Sequence, residues 1–173
     1  MSAIARKAAG LLFTLLAAVL ALVSLRYLGG DPAVAPPELR ASAAKNVPLF
    51  ALHAAGAATA LFLLPFQVLL IGKPLHRWIG RLYVTGVTVG GAAALPLSFH
   101  SFAEPVAGLG FASLALAWLG CTWAGVIAAR AGHRGAHSAW MVRSAALTAS
   151  AITLRLYLPL PGILGPTMPT AMA

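Results

Sequence analysis

The sequence predicts an all-α transmembrane protein in which five helices cross the bilayer and helices 2 to 5 form a core four-helix bundle. Composition is the first indication, because 60% of the 173 residues are hydrophobic and only 9% are charged. In an ordinary soluble domain about 25% of the residues are charged. The second indication is that apolar segments long enough to cross a membrane alternate with short loops. We therefore expect a single integral membrane domain over residues 1–173.

Loops rich in glycine, proline and charge separate the five apolar segments. Gly29-Gly30 marks the first loop, and Pro74 suits the first turn of a helix, so the helix containing the third span is expected to begin there. The first segment is longer than the apolar region of a secretory signal peptide, and no A-x-A-like site follows it, which favours a span. The predicted spans cover residues 8–28, 48–72, 80–99, 108–130 and 141–160.

Basic residues are concentrated in alternate loops, which predicts the orientation of the chain. With a cytoplasmic N-terminus, eight basic residues and no acid fall on the inner side, and four basic residues with all three acids fall on the outer side. This is a strong positive-inside bias. We expect a bacterial inner (cytoplasmic) membrane protein with a cytoplasmic N-terminus and a periplasmic C-terminus. The inner basic residues are Arg6, Lys7, Lys73, Arg77, Arg81, Arg130, Arg134 and Arg143.

Several functional classes are excluded by what the sequence contains. The net charge of +9 is dispersed among apolar spans, whereas nucleic-acid binding needs a solvated basic patch. The expected partner is therefore the lipid bilayer and not a nucleic acid. Three acids, all on the predicted outer side, are too few for a paired-carboxylate hydrolase or a two-metal site. Cys121 is the single cysteine, so no internal disulfide can form.

A polar stripe runs along the fifth apolar segment. Its ends, His137 and Arg155, are 18 residues apart, or about 27 Å along a helix, close to a hydrocarbon thickness. Lipid cannot satisfy such a stripe, so it must face protein, a cofactor or water. The residues of the stripe at helical spacing are His137, Met141, Ser144, Thr148, Ala151 and Arg155.

The histidines fall in two predicted layers, which suggests haem binding. His53 and His100 lie towards the outer face, whereas His76, His133 and His137 lie at the inner ends of spans. Two stacked b-haems would take axial imidazoles from different helices. The predicted pairs are His53 with His100 for an outer haem and His76 with His137 for an inner one.

Other residues beside these layers are candidates for contacts with a haem. The glycine one turn after each ligand, Gly56 or Gly80, would leave room for the porphyrin. Arg155 on the outer side, and Arg143 or Arg77 on the inner side, would hold propionates.

Each candidate also has a structural interpretation. Histidines at helix ends commonly cap carbonyls at the headgroup level, and Arg155 has Glu104 available as a counter-charge. Gln67 faces roughly the same side as His53, where it would make an interhelical hydrogen bond or contact a quinone or haem edge. Close helix packing explains Gly86 and Gly90 in the third span. The same explanation is expected for a small-residue seam in the fourth span, comprising Gly110, Ser113, Ala117, Cys121 and Ala124.

Three segments resemble DUF2306, a family of bacterial membrane proteins. The first is HAAGAATALFLLPFQ, with His53 and Pro65-Phe66-Gln67. The second is HRWIGRLYV, with His76 and Tyr83. The third is HSAWMVRSAALTASAITLR, with His137 and Arg155; in it Ser138 stands where the pattern often has arginine. The resemblance covers roughly residues 48 to 160. By analogy of architecture the helical layout also resembles the di-haem membrane cytochromes b.

Three functions are weighed on this basis. The leading hypothesis is electron transfer by b-haem, with quinone as a further cofactor. The alternative is a non-catalytic accessory or assembly subunit of a larger respiratory or photosynthetic membrane complex. A small-solute or proton transporter is less favoured, because no span is clearly broken at mid-membrane and no inverted repeat is visible.

Overall fold

A computed structural model describes residues 2–35, 40, 43–100 and 105–157, with the backbone alone at Arg6, His100 and Pro105. Within these residues the chain forms five long helices, as predicted. They are α1 (Ala3–Ser24), α2 (Val47–Leu69), α3 (Pro74–His100), α4 (Pro105–Arg130) and α5 (Arg134–Tyr157).

Helices α2 to α5 form a closed four-helix bundle, because each packs against the next and α5 returns to α2. The turn between α2 and α3 and the turn between α4 and α5 lie at one end of this bundle, which we call the Lys73 end. The opposite end, where α5 finishes, is called the Arg155 end. The predicted core bundle of helices 2 to 5 is confirmed.

Short glycine-containing turns make the Lys73 end compact. Gly72 has a φ of 80° and Gly132 a φ of 77°, in the left-handed region that glycine adopts most easily. At the end of α4 the His133 amide donates to the Ala128 carbonyl at 2.9 Å. This is the Schellman arrangement that ends a helix at a glycine. Consecutive helices are thereby held antiparallel.

The first helix, α1, lies outside the bundle over the groove between α2 and α5. Ala17 and Ala21 of α1 pack with Leu61 of α2 and Ile152 of α5 in one buried cluster. Small alanines allow this close approach. The opposite face of α1 is an exposed apolar surface, with Leu11, Leu12, Leu15 and Val19 each more than half exposed. Such a surface is suited to the hydrocarbon of a bilayer.

Four of the five helices in the described part of the chain are long and apolar enough to cross a membrane. These segments are Ala3–Gly29, Val47–Leu69, Pro74–Phe99 and Val106–Arg130. The first includes the 3₁₀ turn Leu25–Gly29 that follows α1. Helix α5 has 24 residues but carries more polar residues, because the predicted polar stripe lies on it. Its buried residues are Ser144, Thr148 and Ile152, so the stripe faces protein as predicted.

The predicted small-residue seam of α4 is wrong. Gly110, Ser113 and Ala117 are exposed, and Cys121 is only half-buried. The buried face of α4 instead carries Ala112, Ala115, Trp118 and Thr122. The physical reason is that lipid cannot satisfy an indole N–H or a hydroxyl group. The helix therefore turns Trp118 and Thr122 inward together with small alanines, and large apolar side chains such as Leu109, Leu116 and Ile127 face lipid.

Candidate functional site

The centre of the bundle is a buried hydrogen-bonded network of four hydroxyl groups and one indole. The Tyr83 hydroxyl lies 2.8 Å from Ser144 Oγ and 2.7 Å from Thr148 Oγ1. Trp118 Nε1 donates to Thr148 Oγ1 at 2.8 Å, and Thr122 Oγ1 lies 2.6 Å from Ser144 Oγ. All five side chains are at most 8% exposed. We call this cluster the hydroxyl network.

The hydroxyl network ties three helices together, because its members come from α3, α4 and α5. Thr148 Oγ1 also reaches the Ser144 carbonyl at 3.0 Å, and Thr122 Oγ1 reaches the Trp118 carbonyl at 2.8 Å. The hydroxyl hydrogens can therefore all be donated without leaving a buried group unpaired, which is what a dry interior requires. Tyr83 is the central member, since it crosses the bundle diagonally from α3 to α5.

The polar stripe predicted from the sequence includes Ser144 and Thr148 but not the side chains that bond to them. Most of the hydroxyl network was therefore not predicted. A signal was available in the spacing. Trp118 and Thr122 stand four residues apart on α4, as do Ser144 and Thr148 on α5. Two apolar helices that each carry a polar i,i+4 pair present those pairs on one face, and such faces are expected to meet.

His53 lies on α2 against α3, towards the Arg155 end. Its Nδ1 is 2.9 Å from the Gly90 carbonyl oxygen, and because a carbonyl can only accept, Nδ1 carries the hydrogen. The neutral ring then keeps a lone pair on Nε2. His53 therefore joins two helices through Nδ1, and its Nε2 can accept a hydrogen bond or bind a metal.

The expectation that Gly56 leaves room for a porphyrin beside His53 is wrong. A β-carbon at Gly56 would lie 2.5 Å from the Gly86 carbonyl oxygen, and one at Gly90 would lie 2.9 Å from the Ala57 amide nitrogen. The backbones of α2 and α3 are therefore in direct contact, as small-residue helix interfaces allow. The space that the glycines leave is filled by the partner helix. The packing role predicted for Gly86 and Gly90 is confirmed.

Gln67 and His76 close the junction between α2 and α3 at the Lys73 end. His76 Nδ1 lies 3.2 Å from the Gln67 carbonyl, and Gln67 Nε2 reaches the His76 carbonyl at a long 3.5 Å. The Gln67 amide also faces Gly80, where a β-carbon would lie 3.4 Å from Oε1. Gln67 thus makes an interhelical hydrogen bond, which is the structural interpretation given for it from the sequence.

His137 makes the equivalent contact between α5 and α4. Its Nδ1 lies 2.9 Å from the Gly125 carbonyl, so this ring too is oriented by a carbonyl of the neighbouring helix. Met141, one turn further along α5, fills the space over Gly125, where a β-carbon would lie 2.6 Å from its sulfur. His133, at the same end, is exposed.

His76 and His137 occupy corresponding positions on diagonally opposed helices. His76 precedes Tyr83 by seven residues on α3, and His137 precedes Ser144 by seven residues on α5. Both helices begin at the Lys73 end, and the Tyr83–Ser144 hydrogen bond fixes their relative height. Seven residues span two turns, about 10.5 Å. The backbone positions of His76 and His137 therefore lie at about one level, on the stripe of each helix that leads to the hydroxyl network.

Arg155 lies at the other end of the stripe. It is half-buried and within electrostatic range of Arg26 and Tyr27, as well as of His53. The predicted partner Glu104 and the side chain of His100 lie outside the described residues, so the His53–His100 pair and the Arg155–Glu104 pair stay predictions.

Arg143 points away from the bundle interior. Its guanidinium lies 4.8 Å from the centre of the Trp140 ring and donates to the Ala139 carbonyl at 3.2 Å. Arg81 stacks in the same way on Trp78, at 4.5 Å. Arg77 is exposed at the same end. These side chains form a basic, aromatic rim around the Lys73 end, of the kind expected where a helix leaves a membrane.

No cluster of three or more histidine, cysteine or acidic side chains suited to a metal ion occurs within the described ranges. A haem iron would draw on only two protein ligands, so this observation concerns other metal centres.

The chain was compared with models of known protein families. A family model described as a predicted membrane protein, DUF2306, matches residues 50–172. No curated protein and no solved structure matches the chain. The matched range contains the hydroxyl network, all five histidines and Arg155. The resemblance stated from the sequence motifs is therefore confirmed for the family.

Proposed function

The chain belongs to the DUF2306 family of predicted membrane proteins, and we propose that its bundle binds b-type haem at the Lys73 end and transfers electrons within the membrane. His76 and His137 are the proposed axial ligands. The observation that carries this proposal is their shared level on diagonally opposed helices, two turns from the Tyr83–Ser144 hydrogen bond. Low-spin membrane haems take their two imidazoles from separate helices in this way.

The hydrogen bonds of the two imidazoles support the proposal chemically. Each Nδ1 hydrogen is engaged by a backbone carbonyl, of Gln67 for His76 and of Gly125 for His137. This fixes the tautomer and leaves the Nε2 lone pair for a metal. Histidine ligands ordinarily donate their second nitrogen to a carbonyl or carboxylate, which orients the ring and raises its basicity.

The remaining roles follow from the position of the pair in the bundle. A bound haem would supply a one-electron carrier. The hydroxyl network beyond the histidines closes the interior towards the Arg155 end, which would restrict access of water to the pair from that side. Arg143 and Arg77 lie at the same end as exposed cations that propionates would attract. The second haem on His53 and His100 and the propionate role of Arg155 are predictions that depend on residues of the other layer. A quinone near Gln67, which lies beside His76 at the Lys73 end, also stays a prediction.

Absorption spectroscopy of the purified full-length protein tests the proposal. The chain is produced with haem supplied during expression, kept in detergent and reduced with dithionite. We expect sharp α and Soret bands that disappear in His76→Ala and in His137→Ala. His133→Ala is the matched control, because His133 is exposed at the same end, and it should keep the spectrum.

A partial change of ligand distinguishes haem loss from misfolding. In His76→Met or His137→Met a haem would keep two ligands, since Met–His ligation occurs in cytochromes, and the band positions and reduction potential should shift instead of vanishing. A folded wild-type protein that stays colourless under these conditions, or bands that persist in both alanine variants, contradicts the assignment. If His53→Ala alone bleaches the protein, the haem belongs to the outer layer.

A second candidate function is an accessory subunit that stabilises a larger respiratory or photosynthetic membrane complex. The hydrogen bonds of three histidines favour this function, because His53, His76 and His137 each already join two helices through a backbone carbonyl. The apolar face of α1 would then contact another subunit. A colourless protein that migrates with one defined larger complex on native gels, and is required for the amount of that complex in cells, supports this function over electron transfer.

A further inference from the structure

The Arg155 end gathers basic side chains from separate parts of the chain around Tyr27. Arg26 Nη2 donates to the Tyr27 hydroxyl at 3.1 Å. Tyr27 is buried in a cluster with Ala35, Ala43 and Ala54, and Arg40 Nε donates to the carbonyl of that same Ala35 at 3.1 Å. The loop after α1 therefore folds back over the end of α2, and Arg26 and Arg40 each bond to a member of this cluster.

Arg155 approaches the cluster around Tyr27 from helix α5. Ile152 of α5 packs between Ala21 of α1 and Ala58 of α2, so Arg155 lies one turn beyond that layer. The same step along α2 leads from Ala58 to Ala54, which contacts Tyr27. Arg155 is accordingly within electrostatic range of Arg26 and Tyr27, and His53 is within range of Arg155.

The cluster of Arg26, Arg40, Arg155 and His53, which we call the outer basic cluster, has no neutralising acid among the described residues. No acidic side chain in that part of the chain lies within 4.0 Å of a basic one. Asp31, the described acid, is exposed and accepts the Ala33 amide at 2.8 Å. Like-charged guanidiniums repel one another, and the half-buried Arg155 is screened by solvent less than the exposed Arg26 and Arg40. An anion between them removes this repulsion.

We propose that the outer basic cluster is a binding site for a phosphate group, and that Arg155 and Arg26 are its main ligands. Guanidinium groups match phosphate oxygens in paired hydrogen bonds. The half-buried position of Arg155 beside an apolar wall suits a phosphate at the boundary between hydrocarbon and water. The site is at the opposite end of the bundle from His76 and His137, so it is independent of the proposed haem site.

Two sources of the phosphate group are compatible with this chemistry, namely the headgroup of an anionic phospholipid and inorganic phosphate. They are separated by measuring the melting temperature of the full-length protein under matched ionic strength. One series titrates inorganic phosphate against chloride in detergent. The other compares nanodiscs of phosphatidylglycerol with nanodiscs of phosphatidylcholine, whose headgroup carries no net charge.

We expect the wild-type melting temperature to rise by several degrees with one of these probes. A rise with inorganic phosphate assigns a soluble anion, whereas a rise with phosphatidylglycerol alone assigns a lipid headgroup. The rise should be lost in Arg155→Gln and only partly kept in Arg155→Lys, which preserves the charge but not the paired hydrogen bonds of the guanidinium. Arg26→Gln is the second variant, since Arg26 is exposed and its replacement should not prevent folding.

Arg130→Gln is the matched control, because Arg130 is an exposed arginine at the Lys73 end. An equal loss of the rise in Arg130→Gln would show general charge attraction and overturn the proposal. So would a wild-type protein that responds to neither probe. If the wild-type protein responds to neither probe but the melting temperature of the double variant Glu38→Gln/Glu104→Gln does rise, the chain's own carboxylates occupy the cluster. This result also overturns the proposal.

Discussion

At the scale of single residues, the position of Tyr83 defines the interior more than any histidine does. Its hydroxyl bonds to Ser144 and Thr148 across the bundle, and it is only 1% exposed. A polar group so placed would be costly without partners, and with them it selects one relative height of α3 and α5. The level shared by His76 and His137 depends on this hydrogen bond.

The change Tyr83→Phe tests how much the hydroxyl contributes. It removes one group and leaves Ser144 and Thr148 each with one partner fewer, so we expect the free energy of unfolding to fall by about 1 kcal/mol, near the 0.6 kcal/mol average for such bonds in membranes. Denaturant unfolding in mixed micelles measures it. Tyr157→Phe, at an exposed tyrosine, is the control, and an equal effect in both variants would argue against a stabilising network.

At the scale of helices, α2 and α3 form the closest pair, because Gly56, Gly86 and Gly90 let their backbones touch. The glycines give up conformational entropy in exchange for this contact. The interface also orients His53, whose Nδ1 hydrogen bonds to the carbonyl of Gly90. Packing and the placement of a candidate ligand therefore depend on the same few atoms.

The change Gly56→Ala is expected to destabilise the pair. The new methyl group would meet the backbone of α3 at less than van der Waals distance, and overpacking of this kind costs about 1–3 kcal/mol. Gly110→Ala is the control, since nothing lies within 4 Å of a β-carbon there. Unfolding free energies measured in the same micelles should fall for Gly56→Ala only; similar values for both variants would contradict direct backbone contact.

Helix α5 is the element whose stability in a membrane depends most on its neighbours. It is as long as the other helices, yet it is absent from the four segments apolar enough to span by themselves. Its Ser144 and Thr148 are satisfied by α3 and α4 and not by lipid. We infer that α5 enters the bilayer as part of the assembled bundle, as expected for a helix with a polar face.

At the scale of the whole molecule, the distribution of charge predicts the orientation in the membrane. The Lys73 end carries the basic rim of Arg81 and Arg143 stacked on tryptophans. The positive-inside rule predicts that such an end lies in the cytoplasm. The outer basic cluster would then lie on the periplasmic side, where a bound phosphate would offset its charge.

Cysteine labelling in intact cells tests this orientation. In a Cys121→Ala background, Ala33→Cys should react with a membrane-impermeant maleimide from outside, whereas Ala131→Cys should react only after the membrane is permeabilised. Both alanines are exposed and lie at opposite ends of the bundle. The reverse labelling pattern would show that the chain is inserted the other way round.

Much of the helical fold was predictable, because long apolar runs and their glycine and proline boundaries are local features of the sequence. The described helices agree with the predicted spans to within a few residues, except that α1, α3 and α5 begin five to seven residues before the spans they contain. For α3 this start is the one predicted at Pro74, and residues 158–160 of the fifth predicted span lie outside the described residues. Those extra turns carry polar residues such as Lys7, His76 and His137, which apolar spans exclude but which a helix accommodates where it leaves the membrane.

The candidate site was predictable only in part. The polar stripe of α5 could be read from its 3.6-residue period, but the partners of Ser144 and Thr148 lie 22 to 65 residues away in sequence. Gly56 shows the same limit, since a small residue beside a histidine is consistent with either a ligand cavity or a close helix contact. Only the position of α3 distinguishes the two.

The sequence by itself determined that the chain is a membrane-embedded helical protein and that the face of α5 carrying Ser144 and Thr148 must be sheltered, because hydrophobicity and helical period are properties of each segment alone. The tertiary structure decided which groups hydrogen-bond to that face, at which glycines a neighbouring backbone occupies the space, and which histidines lie at the same height in the bundle. These are relations between segments, set by packing and hydrogen bonding across the bundle, and no single segment encodes them.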